Sequence, residues 1–369
     1  MTDLTWQPRY SITTPAATGL MEIESARAAI AHTPLPPAVQ AELRRRARLR
    51  STHYSTRIEG NRLTLAETAQ VIEKRRAEFH GRERDVREVR NYWNALVHIE
   101  EWAAKKTAFT ELLIQRLHAL VEKGVRAKPT PYRDGQNVIR DSASGEIIYL
   151  PPEAKDVPAL MAAMVKWVNQ AEKGGVPLPV IAALAHYQFV TIHPYYDGNG
   201  RTARLLATFI LHRGGYGLNG FFSLEEHHAR DLDGYYQALA THQHHNYYEG
   251  RVAVDLSGWI EYFIQTLATV FKSVQEEAGR AAQEGLPAES DEMRQLDHRA
   301  RVVLGLFAQS DRITSAQVAH ALGLSDRMAR NLLKQWTEDG WLVIANKSNR
   351  ARSYVLSENY RQVIGNVSR

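Results

Sequence analysis

Apolar and polar positions alternate with helical spacing over most of the chain. The segments Val86–Ala103, Thr110–Glu122, Val157–Ala171, Leu178–Ile192, Arg201–His212 and Leu256–Val274 each read as a helix. Val39–Leu49 is basic and reads as another. Thr64–Arg76 opens with a capping box, Thr64 and Glu67, in which each side chain satisfies the other end's free N–H. The pattern breaks at Lys128–Pro152, where four prolines flank Gly135 and Gly145. Inside this break, Asn137–Arg140 and Glu146–Leu150 read as two short strands joined by a turn at Asp141–Ser144, a β-hairpin. Gln275–Asp291 is rich in Glu, Ala and Gly and holds Pro287, which marks a linker or a frayed helix end.

The remainder, Met293–Leu356, has the order of a winged helix. Arg299–Ala308 is an apolar-faced helix. Thr314 and Gln317 cap a second, Ser315–Leu322, and Gly323-Leu324 makes a tight turn. Ser325 caps a third, Asp326–Asp339. Strands at Trp341–Ala345 and Ser353–Leu356 follow, joined by a basic tip at Lys347–Arg352.

Composition bounds this picture. A length of 369 residues predicts two or three domains. The absence of cysteine excludes disulfides, thiol nucleophiles and cysteine-ligated zinc, and fits a reducing compartment. Met1–Tyr10 is polar and aromatic, unlike a secretory signal. No apolar run reaches the roughly 18 residues a membrane span needs; Pro177–Ile192 comes nearest and is interrupted by His186 and Gln188. The expectation is a cytoplasmic protein. The net charge of +5 permits nucleic-acid contact only where the basic residues cluster.

Chemistry concentrates in His193-Pro194-Tyr195-Tyr196-Asp197-Gly198-Asn199-Gly200-Arg201-Thr202-Ala203-Arg204, set between two apolar helices. Its glycines leave the backbone N–H groups unobstructed, and a loop feeding a helix N-terminus is an anion site. Arg201 and Arg204 stand three apart in the first turn, where cations oppose the helix dipole, so a compensating polyanion is expected there. Asp197 is a hard oxygen ligand suited to Mg²⁺ beside phosphates. His193 can accept a proton at neutral pH. Together these groups describe phosphoryl or nucleotidyl transfer. A separate stretch, Ser55-Thr56-Arg57-Ile58-Glu59-Gly60-Asn61, ends a short helix at Gly60-Asn61 and leaves Glu59 at a C-terminus, where a carboxylate is disfavoured. Pairing Glu59 with Arg204 would relieve both misplaced charges; a surface glutamate beside a cap is the alternative.

The twelve residues resemble the Fic signature His-Pro-Phe-x-Asp/Glu-Gly-Asn-Gly-Arg-x-x-Arg, departing from it only at Tyr195. The resemblance implies a mainly α fold: a Fic-type helical core with a small β-hairpin flap, plus a C-terminal winged helix-turn-helix. It divides the chain into an N-terminal helical region (1–100, with an inhibitory helix at about 50–61), a catalytic core (101–274, flap 132–152, motif 193–204), a linker (275–292) and a winged-helix domain (293–369).

By that resemblance the activity is protein adenylyltransfer, AMP passing from Mg-ATP to a Ser, Thr or Tyr hydroxyl of a target protein and of the chain itself. His193 would be the general base and Asp197 the metal ligand. Gly198, Asn199 and Gly200 would form the anion hole, with Thr202 beside it. Arg201 would bind phosphate, Arg204 would reach the γ-phosphate, and Tyr235 and Tyr236 would flank the adenine unless they are core tyrosines. Asn137, Val138, Ile139 and Arg140 would dock the target by strand addition. Ser55, Glu59 and Gly60 match the inhibitory Ser/Thr-x-x-x-Glu-Gly/Asn motif, whose Glu would restrain catalysis through Arg204. A homodimer is also expected.

Three alternatives stay open: a DNA-binding regulator with a nucleotide-sensing core, removal of AMP, and another nucleotide donor. In the winged helix, Arg327, Arg330 and Lys334 share a helical face, and Lys347, Arg350 and Arg352 crowd the wing, a clustering that suits phosphate contact or, equally, a protein-interaction module. His242, His244 and His245, with His227 and His228 upstream, lack a ligand spacing and read as a polar loop.

Overall fold

The largely apolar segment Leu178–Ile192 becomes a helix buried along almost its whole length. The chain's computed structural model describes residues 5–73, 79–140, 145–240, 245–250, 253–284, 298–307, 312–346 and 352–357, with positions 310, 348 and 360. In chain order the helices are α1 (Thr14–His32), α2 (Pro37–Ile58), α3 (Leu65–Glu73), α4 (Glu83–Ala104), α5 (Glu111–Lys123), α6 (Val157–Lys173), α7 (Leu178–Ile192), α8 (Asn199–Arg213), α9 (Leu224–Arg230), α10 (Leu232–Leu239) and α11 (Ser257–Glu284). They are followed by α12 (His298–Phe307), α13 (Ser315–Leu322) and α14 (Asp326–Glu338). The strands are β1 (Ile139–Arg140), β2 (Ile147–Tyr149), β3 (Ile313–Thr314), β4 (Leu342–Asn346) and β5 (Ser353–Leu356).

Contacts divide the chain into two compact units, Met1–His32 with Arg44–Glu276, and Thr33–Leu43 with Glu277–Arg369. In the first unit, α8 packs along α7 and α4, while α5 lies on α4 and α6 on α7. Ile181, Leu184, Phe189 and Ile192 of α7 and Leu205, Phe209 and Ile210 of α8 are wholly buried. Each such side chain contributes about 1.5–3 kcal/mol, enough together to hold the turn between the two helices rigidly. Trp259 of α11 is also wholly buried, and its indole N–H donates to Ala183 O at 2.7 Å.

Within the second unit, α12 to α14 join an antiparallel sheet of order β3-β5-β4 in a winged-helix-like arrangement. Its core closes on Trp336 and Trp341, whose ring centroids lie 5.2 Å apart. The Thr314–Gln317 capping box forms, as does the one at Thr64–Glu67.

Several elements differ from the sequence reading. The structure adds α1, α9, α10 and β3. Val39–Leu49 and the short helix at Ser55–Ile58 are one continuous helix, α2, because Ser51, Thr52, Ser55 and Thr56 are buried by packing that a polar run does not reveal. Helix α11 continues to Glu284, ten residues past Val274 and into the stretch read as linker. The hairpin is shorter: Asn137 and Val138 precede β1, and Leu150 bridges to Asn246. Its turn, 141–144, and residues 74–76 lie outside the described residues, as do residues 285–297. No helix among the described residues is long and apolar enough to cross a membrane.

Candidate active site

Helix α7 ends at His193, which adopts a left-handed backbone (φ 51°, ψ 59°) and donates its N–H to Phe189 O at 3.0 Å. A histidine in this region costs free energy, and such positions concentrate at functional sites. The ring's Nδ1 lies 3.2 Å from Val190 O. A carbonyl only accepts, so Nδ1 carries the proton and Nε2 keeps its lone pair. Burial pushes the His193 pKa down to about 4, outweighing the hydrogen bond to Val190 and the nearby Glu59 charge. The imidazole is therefore neutral at pH 7.

The loop that follows is braced from within. Asn199 Oδ1 accepts from the Tyr195 N–H at 3.0 Å and its Nδ2 donates to Tyr195 O at 2.8 Å, so this side chain shapes the loop. The Tyr195 ring stacks on His118 at 3.6 Å between centroids, and His118 Nε2 donates to Asp197 O at 2.9 Å. Gly198 takes φ 76° and leads into α8, whose N-terminus receives no side-chain cap. Its first N–H groups therefore have no acceptor within the helix. Thr202, in the first turn, is wholly buried.

The two arginines of the motif meet different partners. Arg201 is 2% exposed and faces three carboxylates: Glu122 at 2.9 Å, Asp197 at 3.2 Å and Glu88 at 3.7 Å. Arg84 bonds Glu88 at 2.8 Å and reaches Asp197 Oδ2 at 3.3 Å. Asp197 Oδ1 also accepts from the Gly198 N–H at 2.6 Å. Burial raises the Glu122 pKa, and Arg201 only partly offsets this. The expected phosphate ligand Arg201 is thus committed to carboxylates here, because α4 and α5 bring Glu88 and Glu122 against it. Neither glutamate, nor Arg84 or His118, carries a spacing that sequence reading could have recognised.

Arg204, 3% exposed, turns to α2. Its Nε donates to Ser55 Oγ at 2.9 Å, and its Nη2 donates to Ser55 O at 3.0 Å and to Glu59 Oε1 at 2.8 Å. Burial alone would lower its pKa, but the Glu59 charge and hydrogen bond together with Tyr235 and Tyr92 outweigh this and raise it. Glu59 sits just beyond the last turn of α2, where Gly60 (φ 88°) reverses the chain and the Asn61 N–H returns to Thr56 O at 3.1 Å. The misplaced carboxylate and the misplaced cation do meet. A methyl group built on Gly200 would collide with Glu59 Oε1, so this carboxylate lies directly over the uncapped turn of α8.

The remaining expected residues divide. Tyr235 is 1% exposed, its hydroxyl bonded to His186 Nε2 at 3.0 Å and its ring stacked on His228 at 4.4 Å, so it is a core residue without a face for a base. Tyr236 presents its ring to solvent. In the hairpin, Ile139 pairs with Tyr149 and Arg140 with Ile147, Val138 is exposed, and Asn137 Nδ2 donates to Tyr195 O at 3.1 Å. Arg327, Arg330, Lys334 and Arg352 are exposed, while Lys347 and Arg350 lie outside the described residues. His242 and His244 do as well; among the described residues no His/Asp/Glu group could hold a metal by itself.

Residues 108–211, which include the hairpin and the whole motif, match the Fic/DOC family. The chain is 31% identical over 198 residues to the protein adenylyltransferase Fic of Drosophila grimshawi, covering 53% of this chain and 40% of that protein. The chain spans about two fifths of the length of the curated relatives it matches. Among solved structures it is similar to a Fic family protein from Desulfovibrio desulfuricans G20, with 26% identity, 96% of this chain and 99% of that one covered, and a TM-score of 0.62. It is also similar to a Fic domain containing signaling protein from Bacteroides thetaiotaomicron VPI-5482, with 25% identity, coverage of 73% and 98%, and a TM-score of 0.59. The chain shares the fold of these Fic proteins, and over about half of its length it is similar in sequence to Fic adenylyltransferases.

Proposed function

We propose that this protein is a protein adenylyltransferase that moves AMP from ATP to a Ser, Thr or Tyr hydroxyl and is held back by its own Glu59. The observation that carries the reading is the Glu59–Arg204 pair at 2.8 Å, seated over the uncapped turn of α8 beside His193. Two polar features point to an anionic ligand, a buried cation and a row of free N–H groups, and beside them stands a neutral imidazole whose open nitrogen can take a proton.

The residues also fit the family's metal. Asp197 offers a half-exposed carboxylate in the loop, its Oδ2 facing Arg84 and its Oδ1 facing Arg201 and the Gly198 N–H. Bound there, Mg²⁺ would neutralise phosphate charge. The steps assigned to the chain's own residues are as follows. The N–H groups of Gly200 and Arg201 hold phosphate oxygens. Arg204, once released by Glu59, binds the terminal phosphate. His193 Nε2 takes the proton of the acceptor hydroxyl as its oxygen attacks the α-phosphorus, and the bond from that phosphorus to pyrophosphate breaks. Strand β1 receives the target segment by strand addition, which reads backbone rather than sequence. The donor base is assigned by homology, since the residues of the loop address phosphates. Mass spectrometry of a lysate treated with ATP and the Glu59→Gly protein tests the reading: AMP adducts on Ser, Thr or Tyr support it, and their absence opposes it.

A second reading concerns the other unit. Helix α14 exposes Arg327, Arg330 and Lys334 on one face, while its opposite face fills the core with Ala329, Leu333 and Trp336. This is the helix that enters a major groove in winged-helix proteins, so nucleic acid is the partner it suits. Binding of random duplex DNA that weakens steeply with salt supports this partner, and no binding at low salt removes it.

A further inference from the structure

The hairpin and the base are separate in sequence, yet one side chain fastens them together. Arg133 is 4% exposed, and every nitrogen of its guanidinium donates to a main-chain carbonyl. Nε donates to His193 O at 3.0 Å, Nη1 to Gly135 O at 2.9 Å, and Nη2 to Pro152 O in a short bond. The Arg133 N–H adds a bond to Pro194 O at 2.9 Å. Gly135 lies just before β1 and Pro152 just after β2, so the guanidinium spans both roots of the hairpin and the carbonyl of the base. A planar, rigid fork of donors can make these three bonds at once, whereas a lysine offers a single point. The His193 N–H bond to Phe189 O at 3.0 Å fixes the cap of α7 by itself, so the guanidinium adds the tie from that cap to the hairpin.

Building on the transferase reading, we infer that Arg133 is a positioning residue that sets the register between the docked target segment and His193. Strand β1 places the acceptor hydroxyl, α7 and its cap place the imidazole, and Arg133 fixes the distance between them. Nucleotide binding depends on the other side of the site, the first turn of α8 and Arg204, and does not pass through Arg133. Water as acceptor needs no strand to place it. Loosening Arg133 therefore penalises transfer to protein while sparing hydrolysis of ATP to AMP and pyrophosphate.

The experiment measures both products from labelled ATP in the Glu59→Gly protein, with and without Arg133→Lys. One product is AMP attached to the chain; the other is AMP released. The ratio of attached to released AMP is expected to fall on the order of ten- to a hundredfold, with release held within about threefold. Arg133→Gln, which keeps two donors, serves as the second variant where lysine impairs folding, as read from thermal unfolding. An unchanged ratio, whether both products fall together or neither falls, overturns the inference and leaves Arg133 a structural residue. No labelling by the Glu59→Gly parent overturns the transferase reading itself, and this inference with it.

Discussion

Glu59 Oε1 accepts from Arg204 Nη2 across 2.8 Å, from a position one residue past the end of α2. The pair joins a carboxylate just past the C-terminus of α2 to a buried cation in the second turn of α8, so the cation relieves the carboxylate's conflict with the dipole of α2. Because Arg204 is buried, its hydrogen bonds to Ser55 and Glu59 are far stronger than those of a surface pair. Breaking part of this arrangement releases part of the restraint. Ser55→Ala removes the hydroxyl that accepts from Arg204 Nε and leaves Glu59 in place. Self-labelling by labelled ATP should rise on the order of tenfold, less than in Glu59→Gly. Labelling equal to wild type would show that the serine plays no part in the restraint.

Tyr195 offers a test of how well the loop is packed. It occupies the position where the family signature has phenylalanine, and its hydroxyl is buried without a hydrogen-bond partner among the described residues. An unsatisfied buried hydroxyl costs about 1–3 kcal/mol. Tyr195→Phe keeps the stack on His118 and removes that cost. Urea unfolding should show the variant at least as stable as wild type and stabilised by about 1 kcal/mol. A loss of stability of that size would mean the hydroxyl has a partner after all.

The buried imidazoles fix the acid side of the stability profile. Burial pushes His118, His193 and His212 down to about 4 and His186 to about 3. Each stays neutral in the folded chain at a pH where the unfolded chain, with its ordinary value of 6.5, has already taken up a proton. Their contribution is complete above pH 6.5 and is lost as the pH falls toward 4. Urea unfolding across this window should show stability dropping with acid, at up to about 1.4 kcal/mol per pH unit for each imidazole. A flat profile would contradict the burial of these rings.

Much of this was legible in the residues themselves. The bounds of α7 follow from its apolar run, and the boxes at Thr64–Glu67 and Thr314–Gln317 mark helix starts because capping is local chemistry. The motif loop announced its anion site through glycines and misplaced arginines. Features that depend on distant packing stayed hidden. Helix α1 has no strong apolar stripe, and its Gly19 is pressed so closely on Ile264 that an added Cβ would lie 2.8 Å from it. The polar run Ser51–Thr56 gave no sign that it would be buried within α2. Tyr235 and Tyr236 look alike in sequence, and only the rings of His186, His228 and Trp259 decide that the first is core. Arg201 likewise looks free until Glu88 and Glu122 arrive from two other helices.

The central claim is that an intact transferase site is restrained by one carboxylate. Its most direct test compares incorporation of labelled AMP by wild type, by Glu59→Gly and by Glu59→Gly with His193→Ala. Release of Arg204 should raise labelling at least about tenfold, which corresponds to about 1.4 kcal/mol of barrier. Removal of the base should then abolish the gain while ATP binding is kept. Equal labelling by wild type and Glu59→Gly, or labelling that survives His193→Ala undiminished, would contradict the account.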